Sequence, residues 1–275
     1  MADVCLHDRA EPEARRHEAA RAVGYDNLNC RMNYLWAMLV KAPLIVGATV
    51  VMGSISVLVS LVDPSGRRQH AVARAWARLL LAIGGVRVEA RGLENIEPGV
   101  PYVLAGNHLS LYDTPVALAA IPRPFLFLVS AKYVKIPFLG THLRRSGHFP
   151  VDADDLRASL KVMTAAARRI EERRVSILLF PEGRRAKGAT EEFKEGAAYI
   201  AIKARTAVLP FAIRGTREVL PVGSVAVRGG RVELIVGEPI ETRGMSLRDR
   251  EELTALIRQR VMALQETARA ERIPA

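Results

Sequence analysis

Cysteine is nearly absent from this sequence, and aromatic residues are few. Cys5 and Cys30 are the only cysteines in 275 residues. Two thiols cannot build a disulfide framework, and no C-x-x-C pair is present for zinc or thiol redox chemistry. Aromatics make up 5% of the chain. No zinc-finger, RRM-type or homeodomain-type pattern occurs, so no nucleic-acid partner is expected. No His, Cys and carboxylate set has metal-ligand spacing, so neither metal nor bound cofactor is expected. The start, MADVCLHDRAEPEARRHEAARAV, mixes charges and has no early apolar run. It does not read as a secretory signal, and a cytosolic, reducing setting is the expectation.

What is present is ordinary globular material with one exception. Hydrophobic residues are 49% and charged residues 25%, close to the globular average and enough for a sizeable core. That excludes a disordered chain, a fibre and a polytopic transporter. Lys and Arg number 40 against 29 Asp and Glu, a net charge of +11. Such an excess suits nucleic acid, an anionic membrane or an acidic substrate, and charge alone favours none of them.

The exception is Ala42 to Val62, 21 residues without a charge, just long enough for a bilayer core of ~20 helical residues. Tyr34 and Trp36 stand where an interfacial aromatic belt would lie. Arg9, Arg15, Arg16, Arg21 and Arg31 precede the run, and Arg67, Arg68, Arg74 and Arg78 follow it. Positive charge on both sides gives no clean orientation. A hairpin or in-plane insertion with both ends cytoplasmic fits better than a single span. Next, Val72, Trp76, Leu79, Leu80 and Ile83 recur at helical spacing beside Arg74 and Arg78, an amphipathic helix suited to anionic lipid. The predicted division is a polar, charged extension over 1–31, a membrane-associating helical segment over 32–83, and a catalytic domain with a C-terminal helix over 84–275. The expected location is the cytoplasmic face of the cell membrane.

From residue 84 the texture becomes α/β. Strand-like runs at 86–88, 102–105, 125–129, 175–180, 208–213 and 232–236 alternate with helical patterns at 154–173, 194–204 and 247–268. The predicted fold is α/β, a mixed, largely parallel sheet flanked by helices.

Four blocks carry the chemistry. In the first, Asn107-His108 and Asp113 follow an apolar run, where a loop leaving a strand end collects catalytic groups. On a continuous helix five steps of ~100° would put His108 and Asp113 about 140° apart. They meet if His108 sits on the strand-to-helix turn and Asp113 one turn into the helix. Asp113 would then accept from Nδ1, fix the tautomer and leave Nε2 free to take a proton. No Ser or Cys is placed as a nucleophile, so His108 reads as a base acting on a substrate hydroxyl. Backbone N–H groups at the helix start near His108 are candidate donors to the oxyanion.

In the second block a buried strand ends in Phe180-Pro181-Glu182-Gly183-Arg184-Arg185, with Lys187 close behind. Gly183 permits close backbone approach, and the cations form a trap for a phosphate. Glu182 organises an arginine or binds a substrate hydroxyl. The third block runs from Arg144-Arg145 through Gly147 to Asp152. The fourth, Val208 to Thr216, is a strand carrying Pro210, which is expected at an edge or a bulge. His142 and His148 are possible neighbours of the site.

In this order the four blocks resemble the glycerolipid acyltransferase family, most closely the bacterial 1-acyl-sn-glycerol-3-phosphate (lysophosphatidate) acyltransferases. The matching residues are Asn107-His108 with Asp113, Gly147 through Asp152, Phe180 through Arg184, and Leu209 through Arg214, with Lys132 to Gly140 a further likeness. The resemblance covers about residues 85–240. It implies transfer of a fatty acyl group from acyl-CoA or acyl-carrier protein to the free hydroxyl of 1-acyl-sn-glycerol 3-phosphate, giving phosphatidic acid. It implies His108 as base with Asp113 as its partner, and Glu182, Gly183 and Arg184 at the glycerol phosphate. Asn107 and Arg185 join them as expected substrate-binding residues. The pattern is broken at Ala153, where the family carries a basic residue, and at Arg185, where Thr is usual. Arg144 or Arg145 is expected to stand in for the missing cation. The rival readings are another lysolipid acceptor and a catalytically silent scaffold on anionic membrane.

Overall fold

A computed structural model of the chain describes residues 32, 34–63, 66–152, 155–185 and 192–270, with side chains to 266. The expected N-terminal extension, Ala153 and Lys187 lie outside the described residues. Tyr34–Val62 forms one helix, in which a π-helical turn, Ala37–Lys41, leads into α1 (Ala42–Val62). The Ala42 N–H reaches back to the Ala37 carbonyl. This five-residue step changes the ladder just before Pro43, which has no N–H to donate.

α1 is amphipathic in the reverse sense. Thr49, Gly53, Ser56 and Ser60 repeat at helical spacing and face the rest of the protein. Ser56 is buried, while Leu44, Val46, Val51, Leu58, Leu61 and Val62 are more than half exposed. The small and polar stripe packs inward and the large aliphatics face out, the opposite of a water-facing helix. The Trp76 indole N–H donates to Thr49 Oγ1 at 3.1 Å, and Ser56 Oγ lies 2.6 Å from His142 Nδ1. α2 (Arg67–Gly84) follows. Leu80 is buried as its spacing predicts, but Leu79 is exposed, and Ala77 and Leu81 complete the inner face.

The sheet has seven strands: β1 (Val86–Arg91), β2 (Val103–Gly106), β3 (Phe125–Ser130), β4 (Phe149–Val151), β5 (Ser176–Leu179), β6 (Val208–Arg214) and β7 (Gly230–Val236). Their order is β1-β7-β6-β2-β5-β3-β4. Every pair is parallel except β6 with β7. The helices of this part are α3 (Asp113–Ala120), α4 (Leu139–Arg145), α5 (Leu156–Arg173), α6 (Gly196–Ala204), α7 (Thr216–Val219) and α8 (Arg250–Ala270). The two sheet faces follow from alternation along the strands. Leu104 and Leu178 point into a core shared with α2 and α3. Val103, Ala105, Ile177 and Leu179 point into a second core with α5, α6 and α8. Each fully buried Leu or Ile contributes roughly 1.5–3 kcal/mol, so the central strands are held from both sides.

The predicted α/β class and largely parallel sheet are those observed. β4 and α4 are not legible in the sequence: three to seven residues are too few for a period to emerge. Pro210 overturns the edge-strand expectation, because β6 is central, between β7 and β2. Its carbonyl accepts the Gly237 N–H at 2.8 Å, one step past the last β6–β7 pair, Phe211 with Val236. A residue's N–H and C=O point to the same side of a strand. The missing donor therefore faces the place where β7 has already ended.

Candidate active site

The switch point of the sheet lies at β2. Its chain continues through α3 towards β3 on one side, while β5 continues through α6 to β6 on the other. The carboxyl ends of β2, β5 and β6 meet there, where open α/β sheets form a crevice. β2 ends at Gly106, where the Phe211 ring occupies the space a Cβ would take. Asn107 then spans to β6: its Nδ2 donates to Ile213 O and its Oδ1 accepts Ile213 N–H, both at 2.8 Å. Asn107 is fully buried, so it ties two strand ends together rather than meeting a substrate.

His108 Nδ1 lies 2.8 Å from Asp113 Oδ2. The same oxygen accepts the N–H groups of Leu109 (2.7 Å) and Ser110 (2.8 Å). Asp113 is the first residue of α3, not one turn inside it as the spacing argument assumed. The non-helical stretch 107–112 curls around its carboxylate instead. Asp113 Oδ2, an acceptor for two backbone N–H groups, accepts from the proton-bearing Nδ1 of the His108 ring as well. Nε2 is then the basic nitrogen, with no protein partner among the described residues. The imidazole stacks on Phe180 with 4.2 Å between centroids and 8° between planes, which holds the ring's plane as Asp113 holds its rotation. The His108 side chain keeps 17% exposure while Asp113 keeps none.

The second block docks directly on the first. Glu182 Oε1 accepts the His108 backbone N–H at 2.7 Å and is buried. One oxygen of the expected substrate ligand is thus committed to the histidine loop. Gly183 has a φ of +71° and turns the chain so that Arg184 is exposed and Arg185 half-buried beside it. Lys194, which no motif singled out, runs past this turn: a Cβ on Gly183 would come within 3.3 Å of its Nζ. The signal available was Phe193-Lys194-Glu195-Gly196 at the start of a helix, the second cation source after the Pro-Glu-Gly turn.

Three of the amides expected to face an oxyanion, and that of Tyr112, already have partners inside the protein. Those of His108, Leu109 and Ser110 are taken by Glu182 and Asp113, and that of Tyr112 by Ser110 Oγ. Arg144 and Arg145 do not join the cation group. Arg144 bonds the Val134 carbonyl, and Arg145 donates to Ser60 Oγ on α1. Arg144 thus ties α4 back to the turn that precedes it, and Arg145 ties α4 to α1. His142 and His148 lie there too, with centroids 5.6 Å apart. Burial holds His70 and His142 down to about 4 and His148 to about 3, so these three rings are neutral. His148 Nδ1 accepts the Phe127 N–H at 2.9 Å, a structural duty inside the fold.

Known proteins resemble this chain in sequence and in fold. A family model described as Acyltransferase matches residues 87–214. The 1-acyl-sn-glycerol-3-phosphate acyltransferase of Borreliella burgdorferi is 28% identical over 195 residues, covering 70% of this chain and 78% of its own. A protein of the same description from Chlamydomonas reinhardtii is 32% identical over 209 residues, covering 74% of this chain and 61% of its own. The crystal structure of the 1-acyl-sn-glycerophosphate (LPA) acyltransferase of Thermotoga maritima superposes with a TM-score of 0.74 at 22% identity, over 89% of this chain and 99% of that one.

Proposed function

The chain belongs to the acyltransferase family, and from that premise we propose that it acylates the free hydroxyl of 1-acyl-sn-glycerol 3-phosphate to give phosphatidic acid. The observation that carries the reading is the His108–Asp113 pair with Nε2 open, held by Glu182 to a turn bearing Arg184 and Arg185. A base and an anion trap on one loop pair suit an acceptor that is both an alcohol and a phosphate.

His108 Nε2 takes the proton of the acceptor hydroxyl as its oxygen attacks the thioester carbonyl. The new C–O bond forms, the C–S bond breaks, and the imidazolium returns the proton to the departing thiolate. A thioester needs no covalent enzyme intermediate for this transfer, and a positioned base supplies ~10²–10⁴-fold. Asp113 keeps Nδ1 protonated and steadies the imidazolium between the two steps. Arg184, with Arg185 and Lys194 beside it, receives the phosphate. The donor is acyl-CoA or acyl-carrier protein.

Residues 32–83 hold residues 84–275 at the cytoplasmic face of the cell membrane. The outward aliphatic face of α1 supports this placement, since it would otherwise stand in water. The lysolipid's own acyl chain then stays in the bilayer while its head group reaches His108. Arg185 favours a second reading, an acceptor with a larger or more anionic head group. Purified full-length protein in detergent micelles, given lysophosphatidic acid or other lysolipids with each donor type, separates the two. Absent or merely equal turnover of lysophosphatidic acid rejects the first.

A further inference from the structure

The fourth sequence block ends at Thr216, and no role in the chemistry above uses it. Resting on the His108–Asp113 reading, we propose that Thr216 is a positioning residue. Its hydroxyl anchors the free oxygen of Asp113 and so keeps the imidazole in one tautomer and one direction. Thr216 and Asp113 are both fully buried. Thr216 Oγ1 donates to Asp113 Oδ1 at 2.5 Å, across 103 residues of sequence. The other oxygen, Oδ2, holds His108 Nδ1 and the Leu109 and Ser110 amides. The two oxygens therefore divide the work: Oδ2 faces the histidine loop, and Oδ1 is tethered to the far side by Thr216.

The backbone is shaped for this contact. Gly215 has a φ of +84°, and a Cβ there would collide with the Arg231 carbonyl. Only glycine lets β6 turn so sharply into α7 (Thr216–Val219), whose first residue drops beneath Asp113. Asn107 supplies the ruler from the opposite side. Its two bonds to Ile213 lock the exit of β2 to the exit of β6, three residues before Thr216. With the tether gone, Oδ1 is a buried acceptor without that donor, and the carboxylate can rotate away from Nδ1. The base would then lose orientation while the substrate-facing cations stay as they are.

The test is steady-state kinetics of full-length Thr216→Val and Thr216→Ser beside His108→Ala, with thermal unfolding of each. Val keeps the shape and removes the donor, and Ser keeps the donor. Thr216→Val is expected to lower kcat about 10- to 100-fold, part of the ~10²–10⁴-fold of a positioned base, with both KM values within about twofold. Thr216→Ser is expected to restore kcat to within about threefold. If Thr216→Val does not fold, Thr216→Cys, with a similar volume and a weaker donor, takes its place and is expected to fall between Thr and Val. Wild-type kcat in the folded Val or Cys variant overturns the proposal, as does an equal loss in Val and Ser. Retained activity in His108→Ala overturns the underlying reading instead, so the two failures are distinguishable.

Discussion

The carboxylate of Glu182 and the backbone amide of His108 are 2.7 Å apart, although 74 residues separate them in the chain. Through this bond the turn after β5 holds the loop after β2, so His108 and the Gly183 turn are tied together. Removing the acceptor leaves a buried amide unpaired, a loss of about 1–3 kcal/mol. Glu182→Ala should lower unfolding stability by that amount, whereas Glu182→Gln keeps a carbonyl oxygen and should lose less. Chemical denaturation of the three proteins measures it, and equal stability of Ala and wild type contradicts it.

His108→Ala should reduce acyl transfer by ~10²–10⁴-fold, the share of a positioned general base. Vesicle binding should be unchanged, because α1 lies on another part of the molecule. A catalytically silent scaffold predicts no transfer to lose, so measurable wild-type turnover that survives the substitution would decide against the base.

Arg184→Ala should raise KM for the phosphate-bearing acceptor by about 10- to 100-fold, the equivalent of the ~1.5–3 kcal/mol of a hydrogen bond to a charged group. KM for the acyl donor should move little. Equal changes for both substrates would remove Arg184 from the anion site.

Acid should destabilise the α1–α4 junction. His70, His142 and His148 are neutral when folded, with values lowered from 6.5 to about 4, 4 and 3 by burial. Between about pH 6.5 and 4 the unfolded chain binds more protons, so stability falls as pH falls, by up to ~1.4 kcal/mol per pH unit for each ring. Above about pH 7 these groups contribute no slope. His70 Nε2 is buried without a hydrogen-bond partner, so His70→Leu should be nearly neutral at pH 7.5 and flatten part of the acid slope. Urea midpoints from pH 7.5 to 4.5 test this, and an unchanged slope counts against it.

Leu58→Lys puts a charge on the outward face of α1, where Leu58 is 64% exposed. A lysine at membrane depth costs roughly 2.5–3.5 kcal/mol. Sedimentation with anionic vesicles should fall on the order of tenfold or more, with no loss of thermal stability in micelles. Undiminished sedimentation would take this face away from the lipid.

Legibility in the sequence followed the range of the interactions. β2 and β5 were readable because strands buried on both faces are nearly continuous apolar runs. The His108–Asp113 pair was readable because five residues separate its members, and the loop between them needed only to curl. The reading failed where the partner was distant. Asn107 looked like a substrate ligand and proved to be a strap onto Ile213, and the amides of His108, Leu109 and Ser110 are occupied by Glu182 and Asp113. Arg144 and Arg145, close to the third block in sequence, are drawn off to Val134 and Ser60.

Chain-local chemistry therefore settled the fold class, the uncharged helix and the His108–Asp113 contact, because periodicity, strand burial and short spacing act within a few residues. Which oxygen of Asp113 meets which donor, and which cations reach the Gly183 turn, depended on packing β2, β5 and β6 side by side. That packing brings Thr216, Glu182 and Lys194 to the carboxyl ends of the central strands, near Asp113 and His108, from segments up to about a hundred residues away in the chain, a distance over which no residue pattern carries a signal.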